Sequence, residues 1–173
     1  YYEQAIRFAK MISKHYQKQG MCDYVIMTGG GPGIMEAANR GAFESKARSI
    51  GLNITLPFEQ TPNPFITPEL AFRFHYFALR KMHFMVRAKS LVVFPGGYGT
   101  MDELFEVLTL VQTKKMDPIP IILFGAEFWK RAIDFGFLVE EGMINEHDLG
   151  LFKMVDSIEE AFTMLQRFHA EHM

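Results

Sequence analysis

The chain has a single cysteine, Cys22, among 173 residues. One thiol forms no intrachain disulfide and supplies no multi-cysteine metal site, a usage that suits a reducing cytoplasm. Cys22 itself is expected as a core or subsurface thiol. Positive charge is not in excess either: 18 Lys and Arg face 20 Asp and Glu, a net charge of −2. This balance excludes a broad electrostatic footprint for nucleic acid and leaves room for a local basic pocket holding one phosphate. No apolar run reaches the roughly 20 residues that span a bilayer, and no signal peptide is visible. The six histidines, His15, His75, His83, His147, His169 and His172, are scattered without a metal-ligand spacing, so no metal site is expected. A nucleophile elbow is missing, which argues against a serine hydrolase. So is the Gly-Lys-Ser/Thr of a Walker loop.

What remains is an apolar, aromatic-rich chain: 49% hydrophobic residues, with 17 Phe and 12 Met. A chain of this length suits one folded domain with a continuous core. Helical spacing of Ile6, Ala9, Ile12 and Tyr16 predicts a helix over residues 2–18, stopped near Gly20. The chain opens on Tyr1-Tyr2-Glu3 and enters that helix at once, so an upstream segment is expected. Short apolar runs at 24–27, 51–56, 91–94, 119–124 and 151–155 predict buried strands. Helices are expected at 34–45, 77–89, 101–114 and 128–135, and Ser157 to Glu160 reads as a capping box before a last helix. Residues 57–68 contain four prolines and read as a long irregular loop. Between 70 and 77 apolar and polar residues alternate, which favours a strand, although an early helix start would also absorb them. Strands alternating with helices predict an α/β fold, a doubly wound parallel sheet in a single domain. Ligands of such folds bind beyond the carboxyl ends of the strands.

Two glycine loops lie at such ends. The second, Pro95-Gly96-Gly97-Tyr98-Gly99-Thr100, sits between the strand Leu91–Phe94 and a helix. Three glycines in four positions let backbone approach a ligand closely. The first amides of the following helix have no internal partners and favour an anion. The physical reading is a phosphate cradle, with Thr100 as a further donor. A tight turn with Thr100 as N-cap explains the same residues, and both can hold together. Asp102, Glu103 and Glu106 follow at once. Carboxylates at a helix start usually complement the dipole. Beside a phosphate they also need a partner such as a sugar hydroxyl, a cation or a developing positive charge, which a ribosyl oxocarbenium ion would supply.

The first loop, Thr28-Gly29-Gly30-Gly31-Pro32-Gly33, departs from the dinucleotide fingerprint, having Ile34 at its sixth position from Gly29. Its backbone either contacts a ligand or makes a packing turn. Arg80 and Lys81, about 100° apart on a helix, face different surroundings, so one can reach a pocket while the other faces solvent or a partner. His83 reads as a packed or hydrogen-bonded residue.

Pro95-Gly-Gly-Tyr-Gly-Thr-Met-Asp-Glu103 resembles the Pro-Gly-Gly-x-Gly-Thr-x-x-Glu signature of the LOG ("lonely guy") cytokinin riboside 5′-monophosphate phosphoribohydrolases, a family often labelled possible lysine decarboxylases. Thr28–Ala38 is similar to that family's first loop, and Leu56–Gln60 with Asn63-Pro64 is similar to its longer, mainly bacterial branch. The likeness covers nearly the whole chain. It implies a Rossmann-like fold, no cofactor, a homodimer or larger homo-oligomer, and hydrolysis of a nucleoside 5′-monophosphate to base and ribose 5-phosphate. It implies Arg80 and Glu103 as the catalytic pair. Gly96, Gly97, Tyr98, Gly99 and Thr100 would hold phosphate, and Lys81, Asp102, Thr109, Gly30 and Gly31 would make further substrate contacts. Whether Glu103 stabilises the ribosyl centre or activates water stays open, as does whether Arg80 orients Glu103 or a substrate oxygen. The family's Met-His-x-Arg-Lys reads Phe77-Ala78-Leu79-Arg80-Lys81 here, a departure that bears on the base. Its usual opening strand, ending in Gly-Ser, would lie upstream of Tyr1. A non-catalytic nucleotide-binding module, a pyridoxal phosphate decarboxylase and an interaction protein on the same fold are the competing readings.

Overall fold

A computed structural model describes residues 1–18, 21–55 and 61–171. The chain forms two compact units, Tyr1–Arg87 and Ala88–Met173. Each contains a three-stranded parallel sheet with sequential strand order.

In the first unit, α1 (Tyr2–Tyr16) buries Ala5, Ile6, Phe8, Ala9 and Ile12 along one face. It packs on α2 (Ile34–Glu44) through Gly41, where an added Cβ would lie 2.5 Å from the Ile6 carbonyl oxygen. Close helix approach therefore depends on a missing side chain. Ala37 and Ala42 on α2 are fully buried, as small packing residues should be. After α1 the chain makes a two-stranded antiparallel ladder, β1 (Gln17–Lys18) with β2 (Met21–Cys22), which no hydrophobic pattern announces. Cys22 is exposed on it, not core or subsurface as expected, because this short ladder belongs to neither parallel sheet; its thiol donates to Gln17 Oε1 at 3.7 Å. The expected stop at Gly20 lies outside the described residues.

The first parallel sheet runs β3 (Ile26–Thr28), β4 (Ser49–Ile54), β5 (Ala71–Phe74), with Thr28, Gly51 and Ala71 in register. The alternation at 70–77 thus resolves as strand β5 followed by α3 (Phe77–Arg87). Among the described residues, the connection from β4 to β5 holds no α-helix, only the 3-10 turn Pro68–Leu70. Its described part, 61–67, turns back over β4, where Ile66 fills the space left by Gly51 and Thr67 Oγ1 accepts from the Ser49 amide at 2.9 Å.

In the second unit the order is β6 (Leu91–Val93), β7 (Ile121–Phe124), β8 (Lys153–Val155). β7 is the middle strand and all four of its residues are buried, as a continuous apolar run requires. α4 (Tyr98–Gln112) links β6 to β7, and α7 (Ile158–Glu171) follows β8. Trp129 on α5 (Ala126–Ala132) is fully buried, and its indole N–H donates to the Phe124 carbonyl at 3.0 Å. The single helix expected over 128–135 ends early at Ala132. A further helix, α6 (Phe135–Glu140), starts at Asp134, whose carboxylate caps the Phe137 amide at 2.9 Å. At the start of α7, Ser157 Oγ accepts from the Glu160 N–H at 3.3 Å, which is the side-chain-to-backbone half of the expected capping box. Among the described residues, no helix is long and apolar enough to cross a membrane.

A second, unforeseen capping box joins Asn145 and Asp148 at the 3-10 turn Glu146–Leu151. Asp148 accepts from the Asn145 amide at 2.8 Å and from the Gln112 side chain at 2.7 Å. Those two donors, the Asn145 amide first, hold the Asp148 carboxyl below the usual carboxylate range. With the folded pKa lowered, its contribution to stability is complete above the ordinary Asp value and disappears as pH falls through the folded one. Asp148→Asn should therefore melt lower than wild type at neutral pH and lose less on acidification below about pH 4, measured by thermal melts from acid to neutral pH.

Candidate functional site

The second glycine loop is built at the carboxyl end of β6. Phe94, buried there, stacks on Phe124 at 4.9 Å and pins the strand end. Gly97 is the N-cap of α4, in extended conformation, and no side chain caps the helix. The first helical bond runs from the Met101 amide to the Gly97 carbonyl at 3.0 Å. The amides of Tyr98, Gly99 and Thr100 are consequently left without intrahelical acceptors. Helix α4 begins three residues before the expected start at Met101. Thr100 is accordingly not the N-cap but the third helical residue. Its side chain turns back and packs where a Cβ on Gly96 would be.

The other two glycines behave differently. A Cβ on Gly97 or Gly99 would meet nothing within 4 Å, and neither has a positive φ. Tyr98 between them is 96% exposed. The loop is thus exposed from Gly97 to Gly99 at the uncapped, positive end of a 15-residue helix, the arrangement that suits an anion. Glu103 lies three and four residues after Thr100 and Gly99, on the same face, and is half-buried. Helical side chains lean towards the N-terminus, so Glu103 is directed over the turn that carries the amides. Asp102 and Thr109 are both exposed and, seven residues apart, share another face of α4. The Thr109 hydroxyl donates to the Phe105 carbonyl at 2.7 Å, so its oxygen is what it offers outward.

In the first unit, the turn after β3 is stitched together from inside. Gly30 and Gly33 have positive φ, at 73° each. The Gly30 amide donates to Thr28 Oγ1 at 3.0 Å, and the Gly30 and Gly31 carbonyls accept from the Asn63 amide and side chain at 2.8 and 3.1 Å. Both Gly30 and Gly31 are buried, and the surface of the turn is formed by Pro32 and Gly33. The packing-turn reading therefore describes these carbonyls well. Gly33 caps α2 without a side-chain bond, so this second helix start also leaves amides for a ligand.

Arg80 on α3 belongs with this loop. A Cβ at Gly29 would lie 3.6 Å from Arg80 Nη1, so the guanidinium rests beside the glycine backbone at the end of β3. It lies 5.4 and 5.8 Å from the ring centroids of Phe77 and Phe84, which flank it one turn on either side. Lys81 is half-buried on its neighbouring face. His83 is exposed, its ring tilted against Phe74 at 4.9 Å and its Nδ1 2.8 Å from the Leu79 carbonyl, so of its two expected readings the hydrogen-bonded one holds. Sequence patterns missed three asparagines here. Asn39 and Asn63 hold the loop, and Asn53 on β4 occupies the space that a side chain on Gly30 would need. Two flanking prolines marked Asn63 as a constrained position, but nothing marked Asn39 or Asn53. Among the described residues, no three His, Cys, Asp or Glu side chains are grouped to hold a metal.

Comparison with known proteins covers most of the chain, the second glycine loop included. A family model described as possible lysine decarboxylase matches residues 35–165. Pyrimidine/purine nucleotide 5′-monophosphate nucleosidases of Escherichia coli strains K12 and O157:H7 are each 30% identical over 146 residues, 76% of this chain. The match is 30% of their length, so the chain spans less than a third of these relatives. Two structures of the molybdenum cofactor carrier protein from Chlamydomonas reinhardtii superpose with TM-scores of 0.64, at 21% and 22% identity. They cover 96% and 97% of this chain and 86% of the carrier chain. That likeness is one of fold, and it establishes a Rossmann-type α/β architecture with parallel strands.

The glycines separate fold from binding experimentally. Neither methyl meets a neighbour within 4 Å, so Gly99→Ala, inside the helix, should melt at or above wild type, and Gly97→Ala, at the cap, only slightly below it. A methyl at the cradle should cost at least one charge-assisted bond to phosphate, and hence at least about tenfold in AMP affinity by calorimetry. Gly96→Ala, whose methyl collides with Thr100, should lower both melting temperature and affinity.

Proposed function

The chain belongs to the LOG family, the one described as possible lysine decarboxylase, and we propose that it hydrolyses the N-glycosidic bond of a nucleoside 5′-monophosphate to free base and ribose 5-phosphate. An adenine or cytokinin nucleotide is the substrate that this reading favours. The observation that carries it is the bare N-terminus of α4, with open space at Gly97 and Gly99, followed within one turn by Glu103. The 5′-phosphate would sit on the amides of Tyr98, Gly99 and Thr100. Binding energy at that remote group then positions the ribose against the start of the helix.

The chemistry breaks the bond between C1′ and the base nitrogen. Its electron pair leaves with the base, which is protonated, and water adds its oxygen to C1′. Positive charge builds at C1′ in between, and a carboxylate stabilises it. This role explains why an acidic residue stands beside an anion cradle. Glu103 acts there, either on the ribosyl centre or on the attacking water, and Arg80 acts on a carboxylate or substrate oxygen. Lys81, Asp102, Thr109 and the turn at Gly30 and Gly31 complete the substrate contacts in this proposal. A decarboxylase would instead need a lysine able to form a Schiff base with pyridoxal phosphate. Visible cofactor absorbance of the purified protein would favour that reading over this one.

We further propose a homodimer acting in the cytoplasm. Leu79, Met82 and Val86 form an apolar stripe on α3, and each is about half exposed or more. Contiguous apolar surface of this kind marks association. Val86→Glu should shift the sedimentation coefficient to that of the monomer; a monomeric wild type would remove this part of the proposal.

The catalytic reading is tested with purified protein and a panel of AMP, an isopentenyl-adenosine monophosphate and pyrimidine monophosphates, with base separated from nucleotide by chromatography. Glu103→Gln should retain the wild-type circular dichroism and lose about 10²–10⁴-fold in turnover. Wild-type turnover in that variant would remove Glu103 from the mechanism. AMP binding without base release by wild type would make the protein a nucleotide-binding module.

A further inference from the structure

The bonds that shape the first glycine loop converge on Asn63, which is 7% exposed. Its backbone amide donates to the Gly30 carbonyl at 2.8 Å. Its side-chain amide donates to the Gly31 carbonyl at 3.1 Å and to Asn39 Oδ1 at 3.0 Å, while its own Oδ1 accepts from the Phe65 amide at 3.2 Å. Asn39 relays the grip, accepting from the Thr28 hydroxyl at 2.7 Å and donating to Ser49 Oγ at 3.0 Å. Thr28 Oγ1 in turn accepts from the Gly30 amide at 3.0 Å. The turn is thus held by its carbonyls from one side and by an amide from the other.

We propose that Asn63 is a positioning residue for the reaction assigned above. It fixes the shape of the Gly29–Gly33 turn, and through Gly29 it fixes the floor on which the Arg80 guanidinium rests. The kinetic part of this inference rests on the phosphoribohydrolase reading; the structural part does not. Three features support it. Pro64 disfavours helical backbone at Asn63, and φ is fixed at Pro62, the residue before it, so Asn63 is aimed before the bonds form. The bonds span 32 and 24 residues of sequence, joining a surface segment to the loop and to α2. Only an amide side chain of this length supplies donors to two acceptors and one acceptor to Phe65. Aspartate would set a carboxylate against the Gly31 carbonyl and Asn39 Oδ1, and alanine would leave both acceptors unmatched in a buried site.

The consequence should be a separation of kcat from KM. In the proposed reaction the phosphate is anchored on the α4 amides, whereas Arg80 depends on the turn that Asn63 holds. Misplacement of a catalytic group by about 1 Å costs up to about 10²-fold in rate.

The test uses the full chain and three variants, Asn63→Ala, Asn63→Ser and Ile66→Val. Ile66→Val trims the packing of the same segment on Gly51 and leaves the Asn63 bonds in place. Amide hydrogen exchange is followed by mass spectrometry at a temperature where each variant is folded. Asn63→Ala should speed exchange in peptides covering 28–36 by about tenfold or more, with peptides of α1 and β5 at wild-type rates. With AMP or the best nucleotide of the panel, kcat should fall about tenfold or more and KM should move less than about threefold. Ile66→Val should leave both constants within about twofold of wild type. Asn63→Ser, which is smaller yet polar, gives the same readouts if the alanine variant does not fold. Exchange that rises evenly over the whole first unit, or a loop that stays protected, would overturn the proposal. A loosened loop with unchanged kcat would overturn its kinetic half. Absence of base release by wild type would count against the phosphoribohydrolase reading alone, because exchange still decides whether Asn63 holds the loop.

Discussion

The N-terminus of α4 is the constraint around which the second unit is arranged. A helix that begins directly after a buried strand has amides to satisfy, and here no side chain satisfies them. Gly97 takes the extended conformation that lets the helix start at Tyr98. Gly96 gives its side-chain space to Thr100, and Phe94 against Phe124 anchors the strand end. With these choices the helix starts without a side-chain cap. Ordinary stability would favour Ser, Thr, Asp or Asn at the cap. Leaving that position to glycine gives up local stability, which the proposed phosphate site would account for.

The first loop solves the opposite problem. It too joins a strand to a helix through glycines, but its carbonyls are engaged from within by Asn63 and its amide by Thr28. Polar networks buried in this way rigidify when every member is matched. The result is a firm turn with Arg80 laid against it, held by two aromatic rings of its own helix. One loop has Gly97 and Gly99 exposed and its helix start uncapped. The other has its carbonyls engaged from within and a guanidinium beside it.

The alternation of β and α, the parallel pairing, both glycine turns and the strand at Ala71–Phe74 were all legible from apolar runs and period. Those signals are local. The start of α4 was misjudged because glycines read as loop, whereas two of them here are cap and helix. The break between α5 and α6 depends on the carboxylate of Asp134, which a hydrophobic pattern does not weigh. The β1–β2 ladder and the exposure of Cys22 follow from a short hairpin with no periodic signature. The asparagine network was the least legible feature. It unites residues dozens of positions apart, and asparagine at a turn carries no mark of its distant partner. Arg80, Glu103 and the phosphate-loop residues were picked from motif and family likeness. The structure adds the local surroundings of each, and their roles are the proposals made above.

Direct observation of the products from wild-type protein tests the central claim most simply. Phosphorus NMR of AMP incubated with the enzyme, alongside chromatography of the base, distinguishes every bond that could break. The account predicts conversion of the AMP resonance to that of ribose 5-phosphate, with adenine appearing in equal amount. Inorganic phosphate with adenosine, or AMP left intact in the presence of bound enzyme, would contradict it.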